Sequence, residues 1–112
     1  MLRLIYALLS AGSISISIAA AASQPWMAEA VDNLKKEKKI SEVLFANDSP
    51  TSLWISVKDD GSRRDGYAEY ACLVLHQSGM PKGQFTVVHV WDAAAMARGE
   101  QEELGRYECE SS

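Results

Sequence analysis

The clearest strand pattern in the chain lies over residues 84–92, QFTVVHVWD, where apolar residues fall on both faces. Thr86, Val88 and Val90 fall on one face, and Phe85, Val87, His89 and Trp91 on the other. A period of two with β-branched and aromatic side chains predicts a strand. Residues 53–58, LWISVK, repeat the pattern, with Leu53, Ile55 and Val57 opposite Trp54, Ser56 and Lys58, and Asp59-Asp60-Gly61 ends that strand in a turn. Residues 41–46, SEVLFA, suit a short strand or irregular chain, and the turn-forming stretch NDSPTS follows them. Asn47-Asp48-Ser49 matches a glycosylation sequon, which Pro50 makes unfavourable.

The period lengthens in two places. Over residues 26–39, Met27, Ala30, Val31 and Leu34 form the single apolar stripe of a surface helix. Pro25 suits its first turn, and Lys35, Lys36, Lys38 and Lys39 would complement the dipole at its end. Over residues 64–78, the run Tyr67 to Leu75 is apolar on nearly every side, which predicts a helix buried on more than one face. Ser62 and Asp65 are spaced as a capping box, or Asp65 is itself the cap, and Gly79 ends the helix. Ala93 to Ala97 suits a single helical turn. The tail from 100 to 110 reads as a polar, acidic segment anchored by Leu104, Tyr107 and Cys109.

The order helix, short strand, strand, helix, strand, tail predicts a small two-layer α+β sandwich, a two- to four-stranded sheet backed by helices and carrying one disulfide. A strand–helix–strand passage from 53 to 92 crosses over right-handedly if its strands are parallel. A single domain spans residues 23–112.

Residues 1–22 stand apart. Arg3 precedes an uncharged run from 4 to 22 that ends in Ala20-Ala21-Ala22, the order of a cleavable secretory signal peptide. The rival is an uncleaved anchor, because the run approaches the roughly 20 residues that span hydrocarbon. Four serines dilute its second half and no basic flank follows until Lys35, so cleavage before Ser23 is the expectation. The protein is then exported, to the periplasm or beyond, with no membrane association after cleavage.

Export changes the reading of the two cysteines. In an oxidising compartment Cys72 and Cys109 are expected to form a structural disulfide. Its closure would stabilise the domain by roughly 4 kcal/mol in the loop-entropy account. A redox pair is less favoured, since such pairs usually sit as C-x-x-C. Removing Arg3 leaves ten basic against fifteen acidic residues, a net charge of −5, which argues against nucleic-acid binding.

The chemistry on offer is sparse. His76 and His89 are the two histidines, with Asp92 a third ligand at most, so no metal or other cofactor is expected. Asp59, Asp60 and Asp65 resemble a calcium loop only loosely, and Arg63 and Arg64 stand among them, better placed to pair with the aspartates. No serine has a nucleophile-elbow context, so no catalytic residue is assigned. The unusual feature is the aromatic side of the strands, carrying Trp54, Phe85, His89 and Trp91. Two arrangements follow. The preferred one lays helix 26–39 over this side, burying it with Met27, Val31 and Leu34. The other leaves it as a partner-binding surface. The function expected is a non-enzymatic binding or accessory module acting through a protein surface. A small extracytoplasmic enzyme or redox protein using His89 or the cysteines, and a secreted inhibitor or effector, are the alternatives.

Overall fold

A computed structural model describes residues 24–111. The signal-peptide reading of residues 1–22 lies outside them. The elements are α1 (Pro25–Lys35), β1 (Ile40–Phe45), a 3₁₀ turn (Ala46–Asp48), β2 (Ser52–Val57), α2 (Asp65–Gln77), β3 (Phe85–Asp92), α3 (Ala93–Ala97) and β4 (Glu103–Glu110). The four strands form one mixed sheet in the order β1-β2-β3-β4. The pairs β1–β2 and β3–β4 are antiparallel, while β2 and β3 are parallel, joined through α2. The fold is the α+β sandwich that the pattern predicts, with one disulfide.

The aliphatic face of the sheet supplies the core. Val43 and Phe45 of β1, Leu53, Ile55 and Val57 of β2, and Val88 and Val90 of β3 are buried in one cluster with Ala68, Ala71, Val74 and Leu75 of α2. Burying each larger aliphatic side chain contributes about 2 kcal/mol. Thr86 is also fully buried on this face, and its hydroxyl donates to Pro50 O at 2.6 Å, so the polar group is satisfied.

The first helix corrects the preferred arrangement. Trp26, Met27, Ala30 and Leu34 of α1 belong to the same core cluster as α2, and Trp26 meets Phe45 edge to face at 5.5 Å. Asn33 Nδ2 donates to Ser78 Oγ at 3.1 Å, which ties α1 to the end of α2. Both long helices therefore cover the aliphatic face, and α1 does not cover Trp54, Phe85, His89 and Trp91. The reason is in the stripe: α1 buries Leu34 completely where aliphatic residues from β1, β2 and α2 already converge.

α1 also stops at Lys35, four residues short of the expected end. Leu34 is its last buried residue, so a further turn of closely spaced lysines would repel without burying anything. Residues 36–39 form a turn in which Glu37 Oε2 accepts from Tyr70 Oη at 2.9 Å. This bond, with burial and the nearby Glu37 charge, raises the Tyr70 pKa.

The start of α2 differs from a capping box. Its N-cap is Arg64, which makes no side-chain cap bond. Ser62 instead donates backward to Asp60, through Oγ at 2.6 Å and N at 3.0 Å, which lowers the Asp60 pKa. Asp65 accepts from the backbone N–H of Arg106 at 3.0 Å, joining α2 to β4, and this bond with that from Arg63 lowers its pKa. The two arginines pair with aspartates, Arg63 with Asp65 at 2.9 Å and Arg64 with Asp60 at 3.4 Å. α2 ends in a Schellman motif: Met80 N donates to Leu75 O and Gly79 N to His76 O, with Gly79 at φ 102°.

The tail is the other correction. Residues 103–110 form an edge strand paired with β3 along Phe85–Trp91, with a register shift between Val90 and Trp91. Gly105 opposes Val90 there and lets the α2 entry cross β4 closely, for a Cβ at that position would collide with the Arg64 carbonyl. Arg64 N donates to Leu104 O at 2.9 Å across the same approach.

Candidate functional site

The face of the sheet opposite α1 and α2 gathers the aromatic residues. In register across it stand Leu44, Trp54, His89 and Arg106, one from each strand. The next row holds Glu42, Ser56, Trp91 and Glu103. Strand alternation puts these side chains on the side away from the aliphatic core.

Three of the four expected residues form one cluster. Trp54 and Trp91 meet edge to face with centroids 5.3 Å apart, and the His89 ring stacks on Trp91 at 5.2 Å with 10° between the planes. Both are favourable aromatic geometries. Phe85 stands away at the start of β3, opposite Glu110, and is 41% exposed.

The cluster is fixed by polar bonds at its edges. A carboxylate can only accept, so His89 donates through Nδ1–H to Glu103 Oε2 at 2.6 Å, leaving Nε2 as its other ring nitrogen. Trp54 Nε1 donates to Ser52 Oγ at 3.1 Å. Trp91 is buried, and its Nε1 has no hydrogen-bond partner among the described residues. Trp91, Ser56 and Ala95 are buried outside the main core cluster, at the end of the sheet where α3 contacts β2 and β3.

Exposure grades across the face. Trp91 is 8% exposed, Trp54, Val87 and His89 are half-buried, and Leu44 is 38% exposed. Around this apolar centre stand Glu42, Glu103, Glu108 and Glu110, with Arg106 the basic group among them, 3.4 Å from Glu108. The site is an apolar strip with a mainly acidic border.

Leu44, Glu103 and Arg106 were not singled out from sequence. The signal was the period of two in β1 and β4, which places Leu44 with Trp54 and Arg106 with His89 once the strands are paired.

Among the hydrogen bonds of the described residues, His89 bonds Glu103 and no hydroxyl or thiol. Asp92, at the end of β3, accepts from Ala94 N at 3.2 Å and caps α3. Glu102 shares a hydrogen bond with Asp92, and that bond with the neighbouring negative charge holds the Glu102 pKa above the usual carboxylate value. Cys72 and Cys109 are disulfide-bonded across α2 and β4, with Cα atoms 5.5 Å apart. No family model, curated protein or solved structure matches the chain.

Proposed function

We propose that the chain is an exported, non-enzymatic binding module that engages a protein partner through the open face of its sheet. The observation that carries this reading is the Trp54–His89–Trp91 cluster on a face that neither long helix covers. Partner surfaces concentrate their binding energy in aromatic residues and arginine, ringed by polar groups. Here Trp54, Leu44 and Phe85 offer apolar area beside Arg106, backed by the buried Trp91 and the His89 ring stacked on it. The acidic border suits a partner with basic groups around an apolar centre.

Export is supported by the order of residues 1–22 and by the disulfide, which persists in oxidising compartments. Among the described residues, no helix is long and apolar enough to cross a membrane.

Capture from envelope extract tests the reading. Wild-type protein should retain a discrete partner that Trp54→Ala and Phe85→Ala each weaken by tenfold or more. Equal capture by wild type and both variants would refute it.

A further inference from the structure

The disulfide has a third neighbour. His76 Nε2 lies 3.8 Å from Cys72 Sγ and 3.7 Å from Cys109 Sγ, on the helix side of the sheet, away from the aromatic face. Cys72 and His76 are four residues apart on α2 and so share one helix face. Cys109 reaches the same point from β4. The three donor atoms lie within 4.8 Å of one another.

The two nitrogen-to-sulfur distances come close to those of a tetrahedral cation site. Zn–S bonds of about 2.3 Å and Zn–N bonds of about 2.0 Å place two sulfurs about 3.8 Å apart and each about 3.5 Å from the nitrogen. His76 already stands at nearly this distance from both sulfurs. Only the sulfurs must separate, which breaking the disulfide permits. We propose that reduction converts the Cys72–Cys109 disulfide, together with His76, into a binding site for a thiophilic divalent cation of the Zn²⁺ type.

The surroundings suit that occupant. A surface hollow lined by Glu69, Tyr70, Leu73 and Tyr107 reaches Cys72 and His76, and among the described residues no Lys or Arg lines it. It gives the ion an entry route and leaves the fourth position open to water. On the buried side Met80 Sδ lies 3.9 Å from Cys109 Sγ, so the sulfur there has a soft neighbour.

The chemistry balances with a dithiol as reductant. The dithiol transfers two electrons and two protons to the S–S bond and closes to its own cyclic disulfide. The two cysteine thiols then release two protons to solvent as they bind the cation as thiolates, and His76 binds through its neutral Nε2. Reoxidation reverses the sequence and expels the ion, so the site is present only in the reduced protein.

Cobalt(II) is the probe. The purified protein is reduced with dithiothreitol, desalted without oxygen and titrated with Co²⁺, following thiolate-to-cobalt charge-transfer absorption. Reduced wild type should bind one Co²⁺ per chain with that band, and Zn²⁺ should displace it. Oxidised wild type should show no band, and reduced His76→Gln should bind at least tenfold more weakly. His76 is exposed, so this variant keeps the fold. If reduction loosens the domain, Zn²⁺ should restore the far-ultraviolet circular dichroism of wild type and not of His76→Gln. No band in reduced wild type, equal binding by His76→Gln, or no difference between the two in recovery on Zn²⁺ addition would overturn the proposal.

Discussion

Trp54 of β2 and Trp91 of β3 meet edge to face, 5.3 Å between centroids, on the side of the sheet opposite both long helices. Their burial is unequal: Trp91 is 8% exposed and Trp54 is half-buried. Under the proposed function, Trp91 would serve mainly the packing of the sheet and Trp54 mainly the partner surface. Trp91→Ala leaves a cavity and should cost about 3–4 kcal/mol, near the usual loss for a buried large aromatic. Trp54→Ala should cost about 1–2 kcal/mol, since part of its surface is already hydrated. Urea unfolding of the two variants measures the difference, and equal losses would contradict this division.

Gly105 is needed for the crossing of the α2 entry over β4. A methyl group there meets the Arg64 backbone, which cannot swing aside as a side chain would. Gly105→Ala should therefore destabilise the domain by about 2–3 kcal/mol, the upper part of the overpacking range. Gly66 has open space at the corresponding position, so Gly66→Ala at the helix start should cost nothing or stabilise slightly. A thermal melt of the pair checks the contrast.

The Cys72–Cys109 bond spans a sequence separation of 37 residues. Replacing both with serine should lower unfolding free energy by about 4 kcal/mol in the loop-entropy account. The loss should be similar in the cysteine-to-alanine pair, which separates loop closure from the burial of a new hydroxyl at the fully buried Cys109 site. Denaturant titration should show wild type losing a matching amount on passing from oxidising to reducing buffer, provided the reduced samples contain no divalent cation.

Glu102 gives a pH dependence with a definite sign. Its hydrogen bond to Asp92 and the adjacent charge raise its folded pKa above the unfolded value. That contribution to stability is complete below the unfolded carboxylate pKa and is lost as pH rises through the folded pKa. Glu102→Gln keeps a donor toward Asp92 without the charge, so it should abolish this loss. Relative to wild type, the variant should gain stability between pH 4 and pH 7, in a thermal-melt series, from about the usual carboxylate pKa upward.

Much of the architecture was legible in the pattern of residues. The alternation in 53–58 and 84–92, the nearly uniform apolar run from Tyr67 to Leu75, and Gly79 after it correspond to β2, β3, α2 and its Schellman end. β4 was less visible, although Gly105, Tyr107 and Cys109 alternate with Arg106, Glu108 and Glu110. It is an edge strand with one charged face and a glycine, so its periodicity carries little hydrophobic contrast. The docking of α1 was not legible, because the Met27–Leu34 stripe fits either side of a sheet. Its choice depends on Phe45 and the aliphatic residues of β2, which assemble only in three dimensions. Likewise Leu44 and Arg106 join the aromatic site only through strand register, and His76 reaches the sulfurs only through the packing of α2 on β4.

Site-directed photo-crosslinking most directly tests whether the open face is the binding surface. A photoreactive phenylalanine analogue replaces Phe85 on that face in one form of the protein and Leu73 on the helix side in another; both residues are exposed. Illumination in cells should give a discrete adduct from position 85, lost when Trp54→Ala is added, and none of the same mass from position 73. No adduct at position 85, or the same adduct from both positions, would contradict the account.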